Sequence, residues 1–335
     1  MHQFLQPGTV FRERYEILSV IGQGGMGAVY KAADQRLPGR VCAIKEVWPP
    51  PGSTPELLAQ TREQFLREAS TLARLDHPNL PKVSDYFAMD PSGDGDRDTP
   101  RDYLVMDYVP GEDLQQRVQH QRRQGQFLDE RDVLHWMSQL CEALTYLHNQ
   151  NPPVLHRDVK PANVKLTPDG RIKLVDFGLV KPLDPEDPKT VTGMRGIGSL
   201  PYTPIEQYAG ELGHTSVRSD LYSLAATTYH LLTGRPPTSA QDRFLEPGSL
   251  VPPREINPAI SPGVELAVLA ALALHPKERP DTVAAWSQML LGDAATVAVA
   301  VRRQPVGWGQ ALRENWWLLL LALATVAGAI LLTFR

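Results

Sequence analysis

A chain of 335 residues, 42% apolar and 21% charged, has ordinary globular usage and enough material for two domains or one large two-lobed unit, which excludes collagen-like and disordered classes. Its net charge of −4 gives no electrostatic attraction for nucleic acid, and none is expected as a partner. The only cysteines, Cys42 and Cys141, lie far apart in apolar-patterned segments, so they read as buried thiols rather than a disulfide framework or a zinc site.

The first residues, Met1 to Leu5, have neither the basic flank nor the apolar run of a secretory signal. From Phe11 to Tyr30 the chain alternates around a glycine cluster and predicts a hairpin. Gly22, Gly24 and Gly27 fit G-x-G-x-x-G, a spacing whose missing side chains let backbone amides approach phosphate oxygens. By itself the spacing also serves dinucleotide-binding folds, but here Val29 to Ala32 continue as a strand instead of opening a helix.

Val41 to Val47 is a second strand-like run. On a period of two, Val41, Ala43, Lys45 and Val47 share a face, so one cation stands in an apolar wall. A helix then starts at Thr54, the cap, with Pro55 in its first turn. Phe65, Glu68, Leu72 and Leu75 fall on one stripe, which points Glu68 toward the core, where an acid needs a partner. Lys45 is the natural partner, with Arg67 the alternative that leaves Glu68 solvated. The helix is expected to stop at Asp76–Asn79, since Pro78 cannot continue it.

Residues 90–102, rich in Asp, Gly and Pro, read as an exposed loop. Tyr103 to Val109 predicts a strand running into Pro110-Gly111, a connector whose backbone can meet an adenine edge. Val133, Trp136, Met137, Leu140, Leu144 and Leu147 recur at helical spacing and are taken as core. Further helices are expected from Ser219 to Gly234, from Val264 to Ala273 and from Asp281 to Leu291.

The stretch around which these elements are organised reads His156-Arg157-Asp158-Val159-Lys160-Pro161-Ala162-Asn163, followed by a short strand-like run and Asp176-Phe177-Gly178. Two carboxylates, a lysine and a carboxamide at this spacing suit phosphoryl transfer. That reaction needs oxygen ligands for a hard cation, an acceptor for the attacking hydroxyl's proton, and fixed positive charge for the transferring group.

Taken with Gly22–Val29, Lys45 and Glu68, this order of motifs resembles the eukaryotic-like protein serine/threonine kinases of bacteria over about residues 12–291. The resemblance implies an α+β fold of two lobes, a small sheet-plus-helix lobe over about 12–109 and a larger, mainly helical lobe over 110–291. ATP would bind in the cleft between them, against Ile21, Gly22, Gly24, Gly27, Val29, Ala43, Met106, Asp107 and Val109. Lys45 would hold the α and β phosphates, positioned by Glu68. Asp158 would orient the substrate hydroxyl and take its proton, Lys160 would neutralise the γ phosphate, and Asn163 and Asp176 would ligate Mg2+. Arg279 would pair with Glu206. One departure is Thr203-Pro204-Ile205-Glu206, where the family's Ala-Pro-Glu has proline in place of Ile205. The resemblance also suggests that Thr190 or Thr192 is phosphorylated and docks near Arg157, by autophosphorylation in a transient homodimer or in trans. A pseudokinase scaffold at the membrane is the alternative reading; intact Lys45, Asp158, Asn163 and Asp176 speak against it.

Trp316 to Phe334 is nineteen residues without a charge, a helix of roughly the 30 Å of a bilayer's hydrocarbon core. It offers no polar face, which favours a single transmembrane span over a buried terminal helix, with Trp316 and Trp317 as interfacial anchors. Arg302, Arg303 and Arg313 precede it and only Arg335 follows, so the kinase-like part is expected on the cytoplasmic side of the plasma membrane, joined by a linker over 292–315.

Overall fold

The computed structural model describes residues 4–24, 27–48, 53–89, 101–176, 197–208 and 215–292. Phe177, Gly178, Thr190, Thr192 and the apolar run 316–334 lie outside the described residues. Among the described residues no helix is long and apolar enough to cross a membrane.

The N-terminal part is an antiparallel sheet of β1 (Val10–Phe11), β2 (Tyr15–Gly24), β3 (Gly27–Asp34), β4 (Val41–Val47), β5 (Val83–Met89) and β6 (Arg101–Asp107), in the order β1-β2-β3-β4-β6-β5. The pleat divides its residues. Ala28, Tyr30 and Ala32 of β3 and Cys42 and Ile44 of β4 join Phe11, Tyr15, Ile17, Phe87 and Tyr103 in one aromatic-rich cluster. The register sets Val29 opposite Lys45 and Lys31 opposite Ala43, which puts these four on the other face. The hairpin closes tightly at Gly27, where a Cβ would stand 1.9 Å from the Glu46 carbonyl oxygen.

Helix α1 (Pro55–Leu72) begins as its sequence predicts, with the Thr54 hydroxyl accepting from the Leu57 amide at 3.3 Å. It packs on β5 through Phe65 and Tyr86, ring centroids 5.6 Å apart. The helix ends at Leu72, earlier than the stripe through Leu75 suggested. Arg74 and Leu75 close three-residue turns onto Thr71 and Leu72 instead, and Leu75 is buried without being helical. Strand β6 also departs from expectation. It takes in Arg101 and Asp102, assigned above to a loop, because Arg101 has a buried anionic partner in Glu46.

The C-terminal part is helical: α2 (Leu114–Arg123), α3 (Glu130–His148), α4 (Val217–Thr233), α5 (Ala240–Leu245), α6 (Pro253–Ile256), α7 (Pro262–Ala271) and α8 (Val283–Leu291). Residues 219–233 of α4 are buried on every side, as an apolar helix through the middle of a core must be. It stops at Gly234, a left-handed cap with φ of 70°. All six residues of the predicted α3 stripe are buried. A small sheet of β7 (Glu112–Asp113), β8 (Val164–Leu166) and β9 (Ile172–Leu174) carries the central stretch. Cys42 and Cys141 are buried free thiols, raised by burial to about 11 and about 12.

Candidate active site

The central stretch is held from beneath by one acid. Asp220, fully buried in the first turn of α4, accepts the His156 amide at 2.8 Å and the Arg157 amide at 2.7 Å, and contacts His148 Nε2 at 2.9 Å. Arg157 has φ of 65°, an uncommon left-handed conformation for a side-chain-bearing residue that the surrounding contacts must maintain. Burial raises the Asp220 carboxyl, but the hydrogen bonds from the His148 side chain and the His156 amide outweigh it and hold it below the usual carboxylate range. His156 is also fully buried, and burial lowers its pKa, so a neutral imidazole donates from Nε2 to the Val175 carbonyl at 3.2 Å.

Above this platform the three polar residues expected around the transfer site meet. The Asp158 carboxylate accepts from Lys160 Nζ at 2.8 Å and from Asn163 Nδ2 at 2.9 Å, and Asn163 Nδ2 also reaches the Asp158 carbonyl at 2.8 Å. Asn163 sits in a 3-10 turn, Pro161–Asn163, and its carbonyl accepts the Val175 amide at 2.8 Å. The residue next to Asp176 is thereby tied to the loop that carries Asp158.

Lys45 and Asp176 share a recess of about 260 Å³, open to solvent, with Leu72, Pro81, Val83, Leu104 and Met106. The two side chains form an ion pair. Asp176 keeps 45% of its side chain open on the cleft side, while packing behind it raises its pKa; Lys45 and Lys160 pull it down past the opposing push from Asp158, to below the usual range.

The expected Lys45–Glu68 pair is not formed. Lys45 turns to Asp176, and Glu68, half-buried, accepts from Gln64 Nε2 at 3.1 Å. At Asp176 the ammonium lies where a second carboxylate, Asp158, also contributes negative charge, while burial raises the pKa of Glu68. Lys45 and Arg157 are still close enough to lower Glu68.

Val29 and Ala43 share the Lys45 face of the sheet, Ile21 is exposed at the end of β2 beside Gly22 and Gly24, and Met106 lines the recess. The Asp107 amide is committed to the Lys82 carbonyl at 3.0 Å, so only its carbonyl can face a ligand. Val109 is buried just beyond. Gly111 follows at φ of 106°, where an added Cβ would stand 2.0 Å from the Leu166 carbonyl oxygen.

Arg279 and Glu206 pair as expected. All five guanidinium N–H groups are used: two on Glu206 at 2.7 and 3.0 Å, the rest on the carbonyls of Ala273, Leu274 and Arg218. Pro204, extended with φ of −71°, caps the turn Ile205–Gln207, so the turn survives Ile205 in place of proline. Glu206 also accepts from Ser219 at 2.8 Å, one residue before Asp220.

A family model described as "Protein kinase domain" matches residues 15–250. The chain belongs to the protein kinase family. It is 34% identical over 301 residues to the serine/threonine-protein kinase PknA of Mycobacterium tuberculosis, covering 89% of the chain and 64% of PknA. It is 35% identical over 233 residues to serine/threonine-protein kinase B of Synechocystis, covering 67% of the chain and 37% of that relative. The chain therefore spans less than two thirds of the length of these relatives. Among solved structures it is similar to the PknI kinase domain of M. tuberculosis, at 28% identity and a TM-score of 0.64, covering 88% of the chain and all of that domain. PpkA-294 in its apo form matches at 27% identity and a TM-score of 0.64, covering 86% of the chain and 99% of that structure.

Two groups escaped the sequence reading. Asp220 has one signal in the sequence, an acid at the head of the run Leu221-Tyr222-Ser223-Leu224. The Glu46–Arg101 pair was missed because Arg101 looked like loop.

Proposed function

We propose that the chain is an ATP-dependent protein serine/threonine kinase tethered to the plasma membrane by residues 316–334. The observation that carries the activity is the Asp158 carboxylate, held by Lys160 and Asn163, beside a recess shared by Lys45 and Asp176. Asp158 orients a protein hydroxyl and accepts its proton, and Lys160 stands ready to offset charge on the transferring group. Asn163 directs its side-chain nitrogen at Asp158, which leaves its Oδ1 for a cation, and Asp176 offers a carboxylate on the recess. Among the described residues no cluster of three His, Cys, Asp or Glu side chains suits a metal. That donor set fits Mg2+, which takes one or two protein oxygens and completes its shell with phosphate and water. When bound, the ion would neutralise phosphate charge.

Nucleotide binding requires Lys45 to move from Asp176 to the phosphates. That ion pair is also the one observation favouring a scaffold without catalysis. Replacing Asp158 with Asn and measuring phosphate transfer to a generic basic protein separates the two readings: a kinase loses transfer, a scaffold shows no difference. Carbonate-resistant membrane association of the full chain, lost in a chain ending at Gly292, tests the tether. Phosphopeptide mapping of active enzyme tests Thr190 and Thr192, whose modification beside Arg157 would be made within a transient homodimer.

A further inference from the structure

Glu46 follows Lys45 directly in β4, and strand alternation sends its side chain to the opposite face of the sheet. There it is fully buried and accepts three hydrogen bonds: from the Tyr30 hydroxyl in β3 at 2.6 Å, and from Arg101 Nη1 at 2.6 Å and the Tyr103 hydroxyl at 2.8 Å in β6. Tyr30 in turn accepts the Leu5 amide at 3.2 Å. Leu5 belongs to a segment pinned along β2 by the Gly8 amide on the Ile17 carbonyl, 2.8 Å, and the Ile17 amide on the Thr9 carbonyl, 2.9 Å. Through its own carbonyl, Glu46 abuts Gly27, the last glycine of the phosphate-type loop. One residue thus joins the glycine turn, the strand bearing Lys45, and the N-terminal segment.

Stability alone does not call for this arrangement. The pair lies among Ile17, Ile44, Trp48, Phe87 and Val105, and apolar residues of similar volume commonly hold such a core as well as a buried ion pair does. Three hydrogen bonds converging on one buried carboxylate contribute fixed geometry instead, even with Arg101 Nε left without a partner among the described residues. Charge-assisted bonds to both neighbouring strands leave β4 one position, and the Cα of Lys45 lies a single peptide unit away.

We propose that Glu46, clamped by Arg101, Tyr30 and Tyr103, is a positioning residue for nucleotide binding, and that the N-terminal segment bears on Lys45 through the Leu5–Tyr30 contact. The clamp fixes the Lys45 Cα and the Gly27 turn relative to each other, so that the ammonium, once it leaves Asp176, reaches the phosphates the turn approaches. The inference rests on the kinase reading of the recess.

The test uses the full chain and three variants. Glu46→Gln keeps the shape and removes the charge. Tyr30→Phe keeps the ring and removes both one bond of the clamp and the link to Leu5. Phe87→Leu loosens the same cluster beside the Tyr103 ring and removes none of the clamp's hydrogen bonds. Each is assayed well below its own Tm for KM for ATP, kcat, and the rate at which an acylating ATP analogue labels Lys45. Glu46→Gln should raise KM and slow labelling by about tenfold, the scale of a lost charge-assisted hydrogen bond. Tyr30→Phe should do so by a similar factor, since the bond of its hydroxyl to the Glu46 carboxylate is also charge-assisted. Phe87→Leu should lower Tm and leave KM and labelling at wild-type values. Wild-type KM and labelling in both Glu46→Gln and Tyr30→Phe would overturn the proposal, as would an equal KM rise in Phe87→Leu. If Glu46→Gln does not fold, Tyr30→Phe against Phe87→Leu decides. A wild-type chain that neither binds ATP nor is labelled removes the kinase reading and this inference together.

Discussion

Replacing Asp220 with Asn removes one charge and turns one acceptor into a donor. In the native site one carboxylate oxygen serves His148 Nε2 and the His156 amide, and the other serves the Arg157 amide at 2.7 Å. An Asn oxygen can keep the first pair, but its NH2 then faces the Arg157 N–H, donor against donor. The loss is one charge-assisted bond, about 1.5–3 kcal/mol, together with a stranded buried N–H at about 1–3 kcal/mol. Relief of burying a charge offsets part of this, leaving about 2–5 kcal/mol out of a total of roughly 5–15 kcal/mol for a domain. At about 3 kcal/mol per molar of urea, the unfolding midpoint should fall by about 0.7–1.7 M. The same substitution frees Arg157 from its left-handed conformation, so the His156 and Arg157 amides should exchange hydrogen faster and kcat should fall in molecules that remain folded. A variant within about 1 kcal/mol of wild type, with both amides still protected, would refute the assignment of Asp220 as the anchor of the catalytic loop.

His230 is buried with its Nδ1 on the Tyr202 hydroxyl at 2.7 Å, and burial, helped by Arg122, lowers its pKa from 6.5 to about 4. Between those values the unfolded chain binds the extra proton, so stability is lost as pH falls through that window. His230→Asn should shrink the difference in stability between pH 7 and pH 4.5 by roughly 2 kcal/mol, read from urea midpoints at each pH. Arg279→Lys keeps the charge but gives up the fork to Glu206 and two carbonyl contacts; an unfolding free energy lower by about 3 kcal/mol is expected, and a change under about 1 kcal/mol would contradict the geometry. Lys160→Ala should reduce kcat about 10²-fold with KM for ATP within about twofold, because its contact to Asp158 matters when charge moves rather than when nucleotide binds.

The local motifs were legible because each depends on residues near in sequence. The Gly22–Gly27 hairpin, the Thr54 cap of α1, the α3 stripe and the Gly234 stop are set by backbone freedom, capping chemistry and periodicity, and they fold as read. The grouping of Asp158, Lys160 and Asn163 follows from a spacing of a few residues on one loop. The Arg279–Glu206 pair spans 73 residues and was reached only through the family resemblance.

Choices among partners were decided elsewhere. A sequence can place a cation and several acids but cannot rank them, since the ranking depends on burial and on like charges brought near by other segments. So Lys45 went to Asp176 and not to Glu68, and Arg101 joined a strand to reach Glu46. What the sequence alone determined is the set of chemical groups and the local elements that carry them. Tertiary structure decided which groups meet, because desolvation and Coulomb terms exist only once distant strands and helices have closed around them.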